Sequence, residues 1–174
     1  KVGLLGWSYG GYAASAGLAF NPKAYACGVN MFGPTDLFDL VKNNRNTESW
    51  HDMVGNPNTE EGTALLKKHS PNNFVDNIKS PILMTTGGKD ERVPQSQLDN
   101  FANLLREKNK EVIYFIYPEE GHTFQDVGSW ISFWAITESF LKEHLGGRAE
   151  NRNDAVEQGN MKVILGGDFI DEMK

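Results

Sequence analysis

Residues 2–20 constrain the fold more than any other stretch. Val2 to Gly6 is short, apolar and bounded by glycine, the pattern of a buried strand. It runs directly into Gly6-Trp7-Ser8-Tyr9-Gly10-Gly11-Tyr12, and Ser8 to Phe20 is then rich in alanine and other small residues until Asn21-Pro22 stops it, which predicts a tightly packed helix. Small residues two before and two after Ser8 let the backbone turn sharply from strand to helix without side-chain clash. Such a turn lifts the serine oxygen out of the sheet and aims the helix N-terminus at it. The backbone N–H of Tyr9 is then placed to stabilise an oxyanion. A Gly-x-Ser-x-Gly run also recurs in turns that only pack a helix on a strand, so the rest of the chain has to decide between the two.

The same rhythm continues downstream. "AYACGVNMF" at 24–32 reads as a second buried strand closed by Gly33-Pro34, "SPILMTTGG" at 80–88 as a third, and "EVIYFIY" at 111–117 as a fourth ended by Pro118. Asp36-Leu-Phe-Asp-Leu-Val and "EEGTALLKKH" are short helices in an otherwise irregular stretch from 35 to 69. Gln95 to Lys108 is amphipathic, with Leu98, Phe101, Leu104 and Leu105 at helical spacing. "GSWISFWAITESFLKEHL" is a long helix stopped by Gly146-Gly147. Strands alternating with helices predict an α/β fold, a mostly parallel sheet covered on both faces. From Gly147 onward the composition turns polar. Residues 1–147 are expected to form the domain and 148–174 a flexible polar tail, with a small apolar cluster in "MKVILGGDFIDEMK".

In a parallel sheet, functional residues sit just past the C-terminal ends of strands. Ser8 follows the first. Asp90, in Gly87-Gly88-Lys89-Asp90-Glu91-Arg92-Val93-Pro94, follows the third, with Glu91 a rival one residue further on. His122, in Pro118-Glu119-Glu120-Gly121-His122-Thr123-Phe124, follows the fourth, and the glycine before it frees the loop to bring the imidazole over the sheet edge. Each alone reads equally as an ordinary turn residue. Together they run Ser, Asp, His, the order of an α/β-hydrolase triad. In that chemistry His122 removes the proton from Ser8 as it attacks a carbonyl, Asp90 orients the imidazole, and an acyl-enzyme on Ser8 is released by water. Tyr9 and Val93, beside nucleophile and acid, are candidate substrate-pocket walls, with Phe32 and Phe38 after the second strand as weaker ones.

"GWSYGGY", "GGKDERVP" and "YPEEGHTF" together resemble the nucleophile, acid and histidine segments of the prolyl oligopeptidase family of serine peptidases, in its acylaminoacyl-peptidase and dipeptidyl-peptidase branch. The resemblance spans about residues 1–147 and implies the C-terminal part of an α/β-hydrolase catalytic domain. It implies Ser8 as nucleophile, Asp90 as acid, His122 as base and a short peptide as substrate. It also implies strands and a second oxyanion donor ahead of residue 1, and an N-terminal propeller. The chain opens on a lysine with a strand under way, so the expectation is a piece of a longer protein whose first strand lies at an unpaired edge. The alternatives are a carboxylesterase or dienelactone-hydrolase-like enzyme, or a non-catalytic assembly module that pairs through that edge. The partner of the chain is either its own propeller domain or a further copy of itself.

Other features exclude. With 17 Lys and Arg against 23 Asp and Glu, a net charge of −6 and no basic cluster, the chain is not expected to bind nucleic acid. No apolar run is long enough for a membrane span. Neither a phosphate loop nor a cofactor motif is present, and His51 with Glu48 and Asp52 matches no zinc spacing. No cofactor or metal is expected. His69 and His144 fall at helix ends and read as structural, and Trp130 and Trp134, one turn apart, read as a core-facing stripe. The single cysteine, Cys27, reads as a buried thiol; with no evident signal segment it leans the expectation towards the cytoplasm.

Overall fold

Apolar side chains on both faces of a strand require cover on both sides, and that requirement sets the architecture. The computed structural model describes residues 1–150 and 153–172. In chain order its elements are β1 (Gly3–Trp7), α1 (Tyr9–Phe20), β2 (Cys27–Met31), α2 (Leu37–Asn43), α3 (His51–Val54), α4 (Glu60–Lys68), β3 (Ile82–Gly87), α5 (Gln95–Glu107), β4 (Val112–Tyr117), α6 (Val127–Leu145), α7 (Asn153–Val156), β5 (Lys162–Leu165) and α8 (Gly167–Asp171). The five strands lie side by side in sequence order; β1 to β4 are parallel and β5 joins β4 antiparallel.

Successive residues of the strands feed two cores. Leu83, Ile113, Phe115 and Tyr117 face α6, meeting Phe133, Ile136 and Phe140. Ile82, Met84, Tyr114 and Ile116 face the other way, onto Leu18 of α1 and Leu98, Phe101 and Leu105 of α5. Full burial of one such side chain contributes about 1.5–3 kcal/mol, so these two layers dominate stability. Cys27 is fully buried in β2, and burial pushes its thiol up. Side-chain caps start three of the helices: Asp36, Thr59 and Asp126 accept from the backbone N–H three residues on, each worth about 1 kcal/mol.

Two expectations are corrected. Of the expected pair, half-buried Trp130 packs against the core that holds Phe133, Ile136 and Phe140, whereas Trp134 is 47% exposed. An i, i+4 pair of large rings marks a shared helix face without fixing which way it points. The segment 148–174, whose residues 151–152 and 173–174 lie outside the described ones, is not a free tail. Its Ala155, Val156 and Ile170 are buried in the α6-side core, and β5 closes the β4 edge. The physical reason is that a few apolar residues, set between polar ones, bury in the same core as the inner face of α6.

Docking of this segment makes a measurable demand. Ile170→Ala is expected to lower the free energy of unfolding by about 2–5 kcal/mol, read from urea titration. A change near zero would show that residues 162–172 contribute nothing to the core.

Candidate active site

The turn between β1 and α1 is built by close backbone approach. A Cβ on Gly6 would lie 2.1 Å from the carbonyl carbon and oxygen of Gly10, so only glycine lets the helix start this close to the strand. A Cβ on Gly10 itself would meet nothing within 4 Å. The second small residue is therefore not a steric need of its own side chain; Gly11, whose Cβ would sit 2.4 Å from Asn30 Oδ1, is the tight one. Between them Ser8 is held at φ 57°, ψ −118°, a conformation costing about 1–3 kcal/mol for a residue with a side chain. Its N–H donates to Met31 O at 2.8 Å, which pins the turn to the end of β2. Tyr9 opens α1, so its N–H has no partner within the helix.

Because β1, β3 and β4 are parallel, their C-terminal loops emerge at one edge of the sheet. There Ser8 Oγ lies 2.8 Å from His122 Nε2, and His122 Nδ1 lies 2.8 Å from Asp90 Oδ2. A carboxylate only accepts, which assigns the proton to Nδ1 and leaves Nε2 to accept from the Ser8 hydroxyl. The other oxygen of Asp90 accepts from the N–H groups of Arg92 and Val93, both at 2.9 Å, so the carboxylate is fixed on both sides. Its side chain is fully buried, whereas Glu91 is exposed and reaches none of these groups. The backbone of His122 is held as well: Trp7 Nε1 donates to its carbonyl at 3.1 Å, and the Trp7 and Phe32 rings tilt against the imidazole at 5.6 and 5.9 Å.

Beside this line opens a cavity of about 650 Å³. Ser8, Tyr9, Val93 and His122 line it together with an apolar wall of Leu37, Leu40, Trp50, Met53 and Leu66. A network centred on Gln97 of α5 holds that wall. Its Oε1 accepts from the N–H groups of Thr35 and Asp36, and its Nε2 donates to Asp39 at 2.7 Å. Of the aromatic candidates, the structure brings neither Phe32 nor Phe38 to the cavity. Phe32 is fully buried behind His122 at φ 56°, and the Phe38 ring lies under the ammonium groups of Lys42 and Lys67. His69, read from sequence as structural, lines the cavity and accepts a hydrogen bond from Tyr12 through its carbonyl. The wall itself was not singled out from sequence, though Leu37, Leu40 and Val41 stand at i, i+3 and i+4 on α2. Among the described residues no three His, Cys, Asp or Glu side chains gather as metal ligands, and no helix is long and apolar enough to cross a membrane.

The chain is similar in sequence and in fold to known proteins. The model of the prolyl oligopeptidase family matches residues 1–148. The chain is 37% identical over 175 residues to dipeptidyl aminopeptidase BIII of Pseudoxanthomonas mexicana, covering 98% of this chain and 25% of that protein. It is 35% identical over 158 residues to dipeptidyl peptidase family member 6 of Caenorhabditis elegans, covering 86% and 21%. The fold superposes on the acylaminoacyl peptidase of Pyrococcus horikoshii with a TM-score of 0.75 at 23% identity, over 86% of this chain and 25% of that one. The chain thus spans a quarter or less of the length of these relatives.

The two glycines of the turn make opposite predictions. Gly6→Ala is expected to destabilise by more than the 1–3 kcal/mol usual for overpacking, because backbone rather than a flexible side chain must move. Gly10→Ala is expected to be neutral or stabilising by up to about 1 kcal/mol, since it sits in a helix with room for a methyl group. Thermal denaturation of both variants checks the pair.

Proposed function

Because the chain belongs to the prolyl oligopeptidase family, we propose that it is the triad-bearing part of a serine peptidase that hydrolyses peptide bonds of short peptides. What carries the reading is the unbroken line of two hydrogen bonds, each 2.8 Å, from Ser8 through His122 to Asp90. As Ser8 Oγ attacks the scissile carbonyl, Nε2 of His122 takes its proton, and Asp90 stabilises the imidazolium through Nδ1–H. The N–H of Tyr9, backed by the positive end of α1, donates to the developing oxyanion; one such donor is worth about 10²–10³ in rate. The imidazolium then protonates the leaving amine, which departs and leaves an acyl-enzyme on Ser8. Water enters, gives its proton to Nε2 and attacks the ester; collapse returns the proton to Ser8 Oγ and frees the acid product.

The cavity supports a substrate whose residue before the cut is apolar, its side chain lying on Leu37, Leu40 and Trp50. In this reading the 174 residues act within a longer protein. The preceding part supplies further strands beside β1, the second oxyanion donor and a propeller, or a second copy of the chain takes that place, in the cytoplasm. The share of the relatives' length that the chain covers supports the longer protein.

Fluorophosphonate labelling of the full-length protein tests the proposal. Labelling is expected in the parent, lost in Ser8→Ala and reduced about 10⁴-fold in rate in Asp90→Asn. Matched amide and ester substrates then separate the activities. Turnover of a dipeptidyl amide is expected, and hydrolysis of simple esters alone would replace the peptidase with an esterase.

A further inference from the structure

The loop that carries His122 has no regular structure between β4 and α6, so its backbone polar groups need other partners. One buried residue supplies them. Glu120, two positions before the histidine, is 5% exposed. Its Oε2 accepts from the N–H of Gln125 at 2.6 Å and its Oε1 from the N–H of Asp126 at 3.0 Å. Its own N–H donates to Tyr117 O at 3.1 Å, and its carbonyl accepts from the N–H of Lys89 at 2.8 Å. Glu120 therefore ties together the end of β4, the loop that carries Asp90, and the residues that open α6. The two loops run so close that a Cβ on Gly87 would lie 2.3 Å from the Glu120 carbonyl oxygen.

The consequence falls on the span between these attachments. Residues 121–124 leave from Glu120 and return to within its reach at Gln125, so the side chain closes a short ring of backbone with His122 inside it. Phe124 anchors the far side by packing on Phe32 and Tyr117, and Trp130 Nε1 donates to its carbonyl at 3.1 Å. Both oxygens of residue 120 face N–H donors. A carboxylate satisfies both, whereas an amide of the same shape would turn its NH₂ towards one of them.

We propose that Glu120 is a positioning residue: its carboxylate, bound to the N–H groups of Gln125 and Asp126, closes the loop and holds His122 in line between Ser8 and Asp90. The inference rests on the triad reading above. Glu119, its exposed neighbour, is paired with Lys89 at the surface and holds no part of this ring.

The test compares Glu120→Gln with Glu119→Gln in the full-length protein. For Glu120→Gln, kcat on a dipeptidyl amide is expected to fall about a hundredfold with KM unchanged, the effect of a misplaced catalytic group on an intact binding site. The low-field proton resonance of His122 Nδ1–H, which reports its bond to Asp90, is expected to be lost with it. Glu119→Gln is expected to match the parent in both. A folded Glu120→Gln with parental kcat and resonance overturns the proposal, as does an equal rise in KM that points to a disturbed cavity. Should Glu120→Gln not fold, Glu120→Asp keeps both acceptors on a stem one methylene shorter; it must show a smaller loss confined to kcat, and parental kcat in it overturns the proposal. The resonance needs no turnover, so it decides the role of Glu120 even if the parent protein hydrolyses nothing, a result that would sink the peptidase reading and not this one.

Discussion

Backbone contact between Gly6 and Gly10 is the constraint from which the site follows. It sets how closely α1 approaches the end of β1, and so forces Ser8 into a strained conformation with its hydroxyl above the sheet edge. The remaining groups must come to it. Neighbouring strands lie about 4.8 Å apart, which puts β3 about 10 Å and β4 about 14 Å from β1. His122 stands five residues past Tyr117, on a loop that turns at once, the N–H of Glu120 donating to Tyr117 O at 3.1 Å, and so comes back over β3 to Ser8. Asp90, arriving from the strand between, meets the imidazole from behind.

Loops without regular structure leave backbone groups in need of partners, and here buried polar side chains take them up. Asn30 receives the N–H of Gly33 at 2.7 Å and donates to Ser15 at 2.8 Å, joining the end of β2 to α1. Gln97 does the same for the segment leading into α2, and Glu120 for the histidine loop. Each is fully or almost fully buried, and each would leave an orphaned donor or acceptor if removed, at a cost of about 1–3 kcal/mol. Stability and geometry at this edge are thus the same set of bonds.

These bonds also mark where sequence reasoning stops. The four parallel strands and the long helices were legible because burial on both faces writes continuous apolar runs and helical spacing into the chain. Ser8, Asp90 and His122 were legible as residues at strand ends, because glycines cluster where backbone has to pass backbone. Asn30, Gln97 and Glu120 carry no such local mark. Asn30 sits inside an apolar strand, Gln97 in an amphipathic helix and Glu120 beside an exposed glutamate of identical type; only the partner 3 to 62 positions away distinguishes them. β5 escaped for a related reason: its four residues alternate exposed and half-buried at an edge, in an otherwise polar stretch. Phe32 and Phe38 show the converse. Aromatic residues after a strand are easily read as a pocket, but one is buried behind the histidine and the other faces two lysines.

The two edges of the sheet differ in a way that bears on the chemistry. At β4 the edge is closed by β5, and the residues there are buried. At β1 the outer edge carries Leu5 and Trp7, each about half exposed, and Trp7 is also the residue whose indole holds the His122 carbonyl. A hydrogen bond and ring contact in reach of water hold less firmly than buried ones, because water competes for donor and acceptor alike. The histidine loop is accordingly fixed from two sides of unequal strength, a buried carboxylate at Glu120 and an exposed indole at Trp7. Covering the β1 edge would dry the indole contact and bring the weaker side up to the stronger. That is the physical sense in which the Ser8–His122–Asp90 line would gain from any element packed beside β1.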